Sequence, residues 1–364
     1  MNAPALPVAA RYLVAVALVA SGSSNALAQV RQYQLVADGQ RHRLEMKQVE
    51  RPVPGVREVL VRVRAVSLNR RDLSILQSRP GSVRSGLVPL SDGAGEVIEV
   101  GSAVTRFRKG SRVAGTFFAN WVAGRRTSQV NPSARGGAID GMLAEMIVSH
   151  EDGLVAIPEH LTFEEAATLP CAALTAWTAL FTYGHLERDD FVLLEGTGGV
   201  SIFGLQLTAA AGGRPIITSS SDAKLERARG LGAFGTVNYR SNPEWQDQVR
   251  VLTGNAGVAH VLEVGGEETL PRALKALAFG GHIALIGGLT GFVQTMPIGG
   301  LIGLGASVTG IYVGSRADFE AMNAFISKHR LRPIIDRVFP FEEAPAAYEL
   351  MASDAHLGKI VIRL

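Results

Sequence analysis

The chain has a single cysteine, Cys171, in 364 residues. One cysteine makes no internal disulfide and no cysteine-cluster metal site, so disulfide staples and a structural zinc lobe are both excluded. A basic run is missing as well. The pI is 9.1, but the net charge is only +3 and the arginines stand singly or in pairs such as Arg70-Arg71 and Arg125-Arg126. That is the pattern of a solvated surface and not of a nucleic-acid-binding face. Internal repeats and low-complexity linkers are also lacking. What remains is 47% hydrophobic residues and 41 glycines over a length that allows two domains, the composition of a globular α/β protein.

The most informative stretch runs from Asp190 to Gly212. Phe191 to Leu194 reads as a fully buried parallel strand. Gly196, Thr197, Gly198 and Gly199 then let the backbone turn tightly and approach a pyrophosphate, and Val200, Phe203, Leu205 and Leu207 open an apolar helix whose first amides and dipole suit that anion. The third glycine of the dinucleotide fingerprint is absent. Ser201 replaces it, and a small serine still permits close packing of helix on strand. A bare glycine-rich turn is the competing explanation for such a motif, but the context continues. Pro215–Thr218, Phe234–Tyr239, Ala259–Val264 and His282–Ile286 read as further strands and Asp222–Leu231 as a helix, the alternation of a doubly wound parallel sheet.

A second absence bears on the cofactor. The second strand lacks the acidic residue that binds ribose hydroxyls in NAD sites; Thr218-Ser219-Ser220-Ser221-Asp222-Ala223-Lys224 stands there instead. Ser219 and Ser220 with a nearby Lys224 suit a 2′-phosphate, so NADP(H) is expected over NAD(H). Asp222 fits a helix N-cap with Glu226 behind it.

The N-terminus has the layout of a secretory signal peptide: Arg11, an apolar run from Tyr12 to Ala20 too short to span a bilayer, and Ala26-Leu27-Ala28 before Gln29. Residues 1–28 are therefore expected to be removed, giving an exported or periplasmic chain without stable membrane insertion. A cytoplasmic protein starting near Val30 is the alternative, since the folded pattern begins at Arg31 to Leu35.

From about Arg31 to Pro158 the pattern is one of short strands and turns. Val59, Val61, Val63 and Ala65 alternate on one face, and Gly93–Gly101 and Gly110–Ala114 carry strand and turn signals. The chain ends in a strand-like Lys359–Leu364 that is expected to return to this region. Val66–Asp72, Ser91–Val97, Gly110–Val113, Leu169–Trp177, Gly196–Val200, Val237–Tyr239 and Gly358–Ile362, in this order, together resemble the medium-chain dehydrogenase/reductase superfamily. The resemblance covers nearly everything after the leader. It implies an α/β protein with a GroES-like irregular β domain, residues 29–157 completed by 332–364, and a Rossmann domain with a doubly wound parallel sheet, residues 158–331. The active site would lie in the cleft between them, in a homodimer.

The resemblance also implies site residues. Zinc-dependent relatives bind the metal at positions held here by Asn69, Ser91 and Cys171, of which only the cysteine is a good ligand. The chain thus resembles the zinc-independent branch that includes quinone oxidoreductases, and no zinc is expected. Cys171 reads better as a small core residue than as a nucleophile. Asn69 is the first candidate to donate to a substrate oxygen or hold the nicotinamide ribose, with a turn-forming asparagine as the plain alternative. Asp92 is a candidate to orient neighbours or relay a proton, and Thr175 resembles a threonine packed at the nicotinamide. Tyr239, Val264, Gly265, Gly287, Gly314, Ser315, Arg316 and Lys359 are expected around the cofactor. Leu76, Phe117, Phe118 and Trp121 are candidates for an apolar substrate pocket. The expected activity is NADPH-dependent hydride transfer to a small apolar carbonyl, enone or quinone; a dinucleotide-binding redox sensor or structural protein without turnover is the other class.

Overall fold

The computed structural model describes Met1 and residues 29–364 apart from Val293, Gln294 and Pro297. The expected leader with its cleavage point at Ala28 lies outside the described residues. Among those described, no helix is long and apolar enough to cross a membrane.

The first domain opens with the hairpin β1 (Gln29–Asp38) and β2 (Arg41–Glu50). It continues through β3 (Glu58–Ser67), α1 (Arg70–Leu76), β4 (Asp92–Val100), β5 (Arg112–Gly115), β6 (Met146–His150) and β7 (Leu154–Ala156). β3 is its centre. Val59, Val61 and Val63 are buried in one core, as their alternation predicts, but a register irregularity between Val63 and Ala65 breaks the pattern: Val66 joins that core and Ala65 the one on the other side, with Leu60 buried as well. The short helix α2 (Phe163–Ala166) packs against β3, so the strand is covered from both sides.

Next comes α3 (Leu174–Trp177), flanked by wider helical turns at Leu169–Ala173 and Thr178–Tyr183. The second domain then alternates: β8 (Phe191–Leu194), α4 (Gly199–Ala211), β9 (Arg214–Ser219), α5 (Asp222–Gly230), β10 (Gly235–Asn238), α6 (Trp245–Leu252), β11 (Val258–Glu263), α7 (Leu270–Ala276), β12 (Leu277–Leu285), α8 (Ile298–Leu304), β13 (Ser307–Gly310) and α9 (Arg316–His329). The six strands form one parallel sheet in the order β10-β9-β8-β11-β12-β13. This is the doubly wound order, with the reversal at β8 placing a crevice at the strands' carboxyl ends. The fingerprint's missing third glycine has an explanation here. The close approach of α4 to the sheet is made by Gly204, where a Cβ would come 2.7 Å from Leu194 Cδ2. Ser201 instead donates its hydroxyl to the Glu195 carbonyl at 2.6 Å, tying the helix start to the strand end.

The chain returns through β14 (Ile335–Pro340), α10 (Ala344–Ala352) and β15 (Lys359–Arg363). β15 pairs antiparallel with β3, completing a seven-stranded sheet. Just before β15, the Gly358 amide donates to the Thr197 carbonyl at 3.0 Å. The closing strand of one domain is thereby bonded to the glycine turn of the other. Gly358 has φ of +78°, and a Cβ there would lie 2.4 Å from the Ile334 carbonyl oxygen. Gly358→Ala is expected to lower stability by about 2–4 kcal/mol through left-handed strain and overpacking. Urea denaturation of the two proteins measures it; a loss within experimental error refutes the assignment.

Candidate active site

Asn69 follows β3 and caps α1, the turn in which the chain leaves the sheet. Its amide N–H donates to Asp72 Oδ2 at 2.8 Å, a helix-start arrangement foreshadowed by the three-residue spacing of Asn and Asp. The Lys359 side chain enters from the start of β15 and is buried. Its Nζ donates to the Leu68 carbonyl at 2.5 Å and to Asn69 Oδ1 at 2.6 Å, and lies 4.0 Å from Asp92 Oδ2. Because Oδ1 faces an ammonium, the other end of the Asn69 amide is fixed as a donor. Nδ2 is buried and makes no hydrogen bond.

Asp92 opens β4 and is completely buried. It accepts from the Ser91 hydroxyl at 2.6 Å and from the Cys171 amide at 3.1 Å. Burial raises its pKa, opposed chiefly by Lys359 and then by the Ser91 hydroxyl bond and the nearby Asn69 side chain. The Asn69 amide is thus close enough to act on Asp92 without a hydrogen bond of good geometry. Burial, and secondly the Asp92 charge, push the Cys171 thiol up, so it stays protonated. That agrees with a packing residue and not a nucleophile. One helical turn on, Thr175 is buried in α3.

This donor set does not fit a catalytic zinc. Of the three positions, Ser91 spends its hydroxyl proton on Asp92 and Asn69 turns its oxygen to Lys359, which leaves Cys171 as the one good ligand where three are needed. The buried Lys359 ammonium already supplies a positive charge beside Asn69 and Asp92. Among the described residues no group of three or more His, Cys, Asp and Glu side chains is placed to hold a metal ion.

A dinucleotide fits the crevice. Gly196 has φ of +71°, and a Cβ on Gly196 or Gly198 would meet no atom within 4 Å, so the turn presents its backbone to open space at the start of α4. Gly199 serves a different purpose: a Cβ there would strike Lys359 Cδ at 2.8 Å. The glycine turn therefore abuts the Lys359 stem and, through it, Asn69. Val200 continues α4 behind the turn, and Val264, Gly265 and Gly287 line up at the ends of β11 and β12, where Gly287 packs on the Val264 backbone.

Other expectations change. The N-cap of α5 is Ser221, whose hydroxyl accepts from the Lys224 amide, and not Asp222; Asp222 is one position too late and instead accepts from Asn238 Nδ2 at 2.7 Å. Ser219 ends β9 with Ser220 after it, and the Tyr239 amide donates to the Ser219 carbonyl at 3.1 Å. Lys224 donates from Nζ to the Asp354 carbonyl at 2.8 Å, which uses one of the ammonium's three donors. Arg316 is committed elsewhere: its guanidinium bonds Asp152 Oδ1 at 2.5 Å and its amide the Trp121 carbonyl at 2.9 Å, both in the first domain. Ser315 caps α9 with Asp318, and Gly314 lets the preceding turn lie against Thr178 and Leu174. Of the pocket candidates, Phe117 and Phe118 are core residues; Tyr312, half exposed, packs on both. Leu76 is partly buried and Trp121 donates Nε1 to the Gly124 carbonyl at 2.9 Å.

Sequence reading missed Asp72, Glu195 and Glu263. Asp72 is buried, and burial raises its pKa to about 6 against the opposing charge of Arg71, with Asp92 adding to the rise. A carboxyl that binds its proton more tightly folded than unfolded makes stability fall as pH rises, here between about 4 and about 6. Asp72→Asn keeps an acceptor for Asn69 and removes the titration. Thermal melts are expected to show wild type losing about 2–3 kcal/mol relative to Asp72→Asn across that window, and parallel pH profiles would contradict it.

Comparison with known proteins identifies the family. Residues 55–159 match the alcohol dehydrogenase GroES-like domain and residues 199–328 the zinc-binding dehydrogenase domain. A zinc-type alcohol dehydrogenase-like protein of Schizosaccharomyces pombe is 43% identical over 315 residues, 84% of this chain and 91% of the relative. A quinone oxidoreductase of Pseudomonas aeruginosa is 32% identical, covering 90% and 98%. The crystal structure of a Sinorhizobium meliloti 1021 protein provisionally named an alcohol dehydrogenase superposes with a TM-score of 0.88 at 40% identity, over 93% of this chain and 99% of that one. With both domains, the glycine turn and the cleft residues accounted for, the chain belongs to the medium-chain dehydrogenase/reductase superfamily and is an NAD(P)-dependent oxidoreductase.

Proposed function

We propose that this enzyme is a zinc-independent, NADPH-dependent reductase of small apolar carbonyl, enone or quinone compounds. One observation carries the reading: Asn69 Nδ2 is a buried donor without a partner, its orientation locked by Lys359 at Oδ1. Such a group costs free energy in the resting protein and is repaid by an acceptor. The nicotinamide supplies the hydride when bound. When a carbonyl or conjugated oxygen gains charge as hydride arrives, Asn69 supplies a preorganised hydrogen bond in a dry cleft, the part a metal plays elsewhere. Lys359 is a positioning residue: it orients Asn69 and offsets the charge of Asp92. The names of the Schizosaccharomyces pombe and Pseudomonas aeruginosa relatives, one alcohol dehydrogenase-like and one a quinone oxidoreductase, support this substrate range.

For the cofactor, Gly196, Thr197, Gly198 and Gly199 would hold the pyrophosphate at the start of α4. Ser219, Ser220 and Lys224 would meet the 2′-phosphate at the end of β9, where no acidic residue stands and Asp222 is occupied by Asn238. Thr175, Tyr239 and Gly314 complete the nicotinamide and adenosine sides.

NADPH is expected to bind more tightly than NADH, and Lys224→Ala to narrow the gap by roughly tenfold, the worth of one charge-assisted hydrogen bond. Titration of both cofactors by fluorescence decides; equal affinities in the unmutated protein sink the preference.

Asn69→Ala is expected to lower kcat for quinone or enone reduction by about 10²–10³ with NADPH affinity nearly unchanged, while EDTA leaves the wild-type rate untouched. Retention of most of kcat in a folded variant would remove Asn69 from the mechanism, and loss of activity on chelation would remove the zinc-free reading.

A further inference from the structure

Glu195 and Glu263 are used by none of the chemistry above. Glu195 immediately follows β8 and Glu263 ends β11, the parallel neighbour of β8. Both are buried. Two carboxylates side by side under the floor of an anion-binding crevice need an explanation.

Their oxygens can be accounted for one by one. Glu263 Oε1 accepts from the amides of Gly265 and Gly266, each at 2.8 Å, and from the Thr269 hydroxyl at 2.5 Å. Glu195 Oε2 accepts more weakly, from the amides of Val264 at 3.2 Å and Gly265 at 3.3 Å. Both carboxylates thus meet at the Gly265 N–H. The remaining two oxygens, Glu195 Oε1 and Glu263 Oε2, are buried with no partner.

Among the described residues no cation compensates them. β8 and α4 carry no charged residue. On β9, Arg214 pairs with Asp189; on β11, His260 pairs with Asp190; on α7, Arg272 pairs with Glu244 and Lys275 acts on Glu244 as well. In the connecting loop Glu267 and Glu268 are exposed. Glu263 is the charge set against Glu195.

We propose that the two orphan oxygens share one proton, Glu195 donating to Glu263, and that this acid–carboxylate pair is the positioning device for Val264, Gly265 and Gly266 at the wall of the dinucleotide crevice. A single proton converts two unpartnered acceptors into one charge-assisted O–H···O⁻ bond. The three donors on Glu263 assign the negative charge to that side and the proton to Glu195. Burial and then the Glu263 charge push Glu195 well above the usual carboxylate range, in the same sense. The loop it holds is tightly specified: Gly266 has φ of +101°, and a Cβ on Gly265 would come 2.3 Å from Thr269 Oγ1, itself a donor to Glu263. The inference rests on the cofactor reading above for its purpose and not for its protonation.

The test is Glu195→Gln in the full-length protein, because the amide can donate to Glu263 and accept from Val264 and Gly265 without titrating. Above pH 6.5, past the range in which Asp72 titrates, wild-type Tm should fall with rising pH, since the folded state holds a proton that the unfolded state has given up. Glu195→Gln should be flatter and melt about 2–6 °C higher at pH 8.5, and should lack the infrared band of a buried protonated carboxyl that wild type shows. NADPH affinity should be kept in Glu195→Gln and weakened about tenfold in Glu195→Ala, which leaves the loop unsupported. If Glu195→Gln retains the wild-type pH slope and infrared band, the shared proton is refuted. A flattened slope with NADPH affinity unchanged in both variants refutes the positioning role alone. Failure of the NADPH preference would leave the melting and infrared results unaffected.

Discussion

A buried lysine ammonium holds this structure together at the point where its chemistry is expected. Taking Lys359 out of water costs several kcal/mol unless the charge is matched and its protons are placed. The protein meets that demand with the Leu68 carbonyl, the Asn69 oxygen and the nearby Asp92 carboxylate. These acceptors come from the end of β3 and the start of β4, whereas the lysine comes from the last strand of the chain. Closing the first domain and building the candidate site are therefore one event. The stem of the same side chain passes Gly199, so the glycine turn of the second domain is fitted to it as well.

Seen from this cation, the proposed zinc-free chemistry is a different solution to one electrostatic problem. A reaction that builds negative charge on oxygen needs positive potential or hydrogen-bond donors in a dry place. In the proposed mechanism the potential is fixed in the protein and delivered through an amide. Asn69 cannot flip without facing its NH₂ group at an ammonium, so its donor end is set before any substrate arrives. In the proposed zinc-free mechanism Ser91 and Cys171 are free to serve Asp92, the one through its hydroxyl and the other through its backbone amide.

Burial acts on the carboxylates at the domain junction with one sign and several outcomes. It raises Asp72, Asp92 and Glu195 alike. Asp92 is held back chiefly by Lys359, Asp72 by Arg71, and Glu195 by nothing stronger than backbone amides. The differences among them come from partners supplied by distant parts of the chain, and these decide which group keeps a proton.

Local chemistry made much of this legible in advance. The apolar run Phe191–Leu194, the glycines after it and the apolar helix behind them follow from residue types at short spacing, because strand burial, tight turning and anion binding at a helix start are all local requirements. Composition was enough to exclude disulfides and a cysteine-cluster metal lobe. The order of motifs carried the superfamily and with it the two-domain architecture. Tertiary structure alone decided the rest. Capping at α5 went to Ser221 because the exact helix start depends on how α5 packs, and Arg316 went to Asp152 because the first domain lies within its reach. Gly204 took the place of the fingerprint's third glycine because helix-to-sheet contact depends on where α4 crosses Leu194 and Leu262. The resemblance placed Lys359 near the cofactor, but its bond to Asn69, 290 residues away, and the Glu195–Glu263 pair lie beyond any sequence pattern, since a long-range contact between polar groups leaves no periodicity and shows itself only in three dimensions.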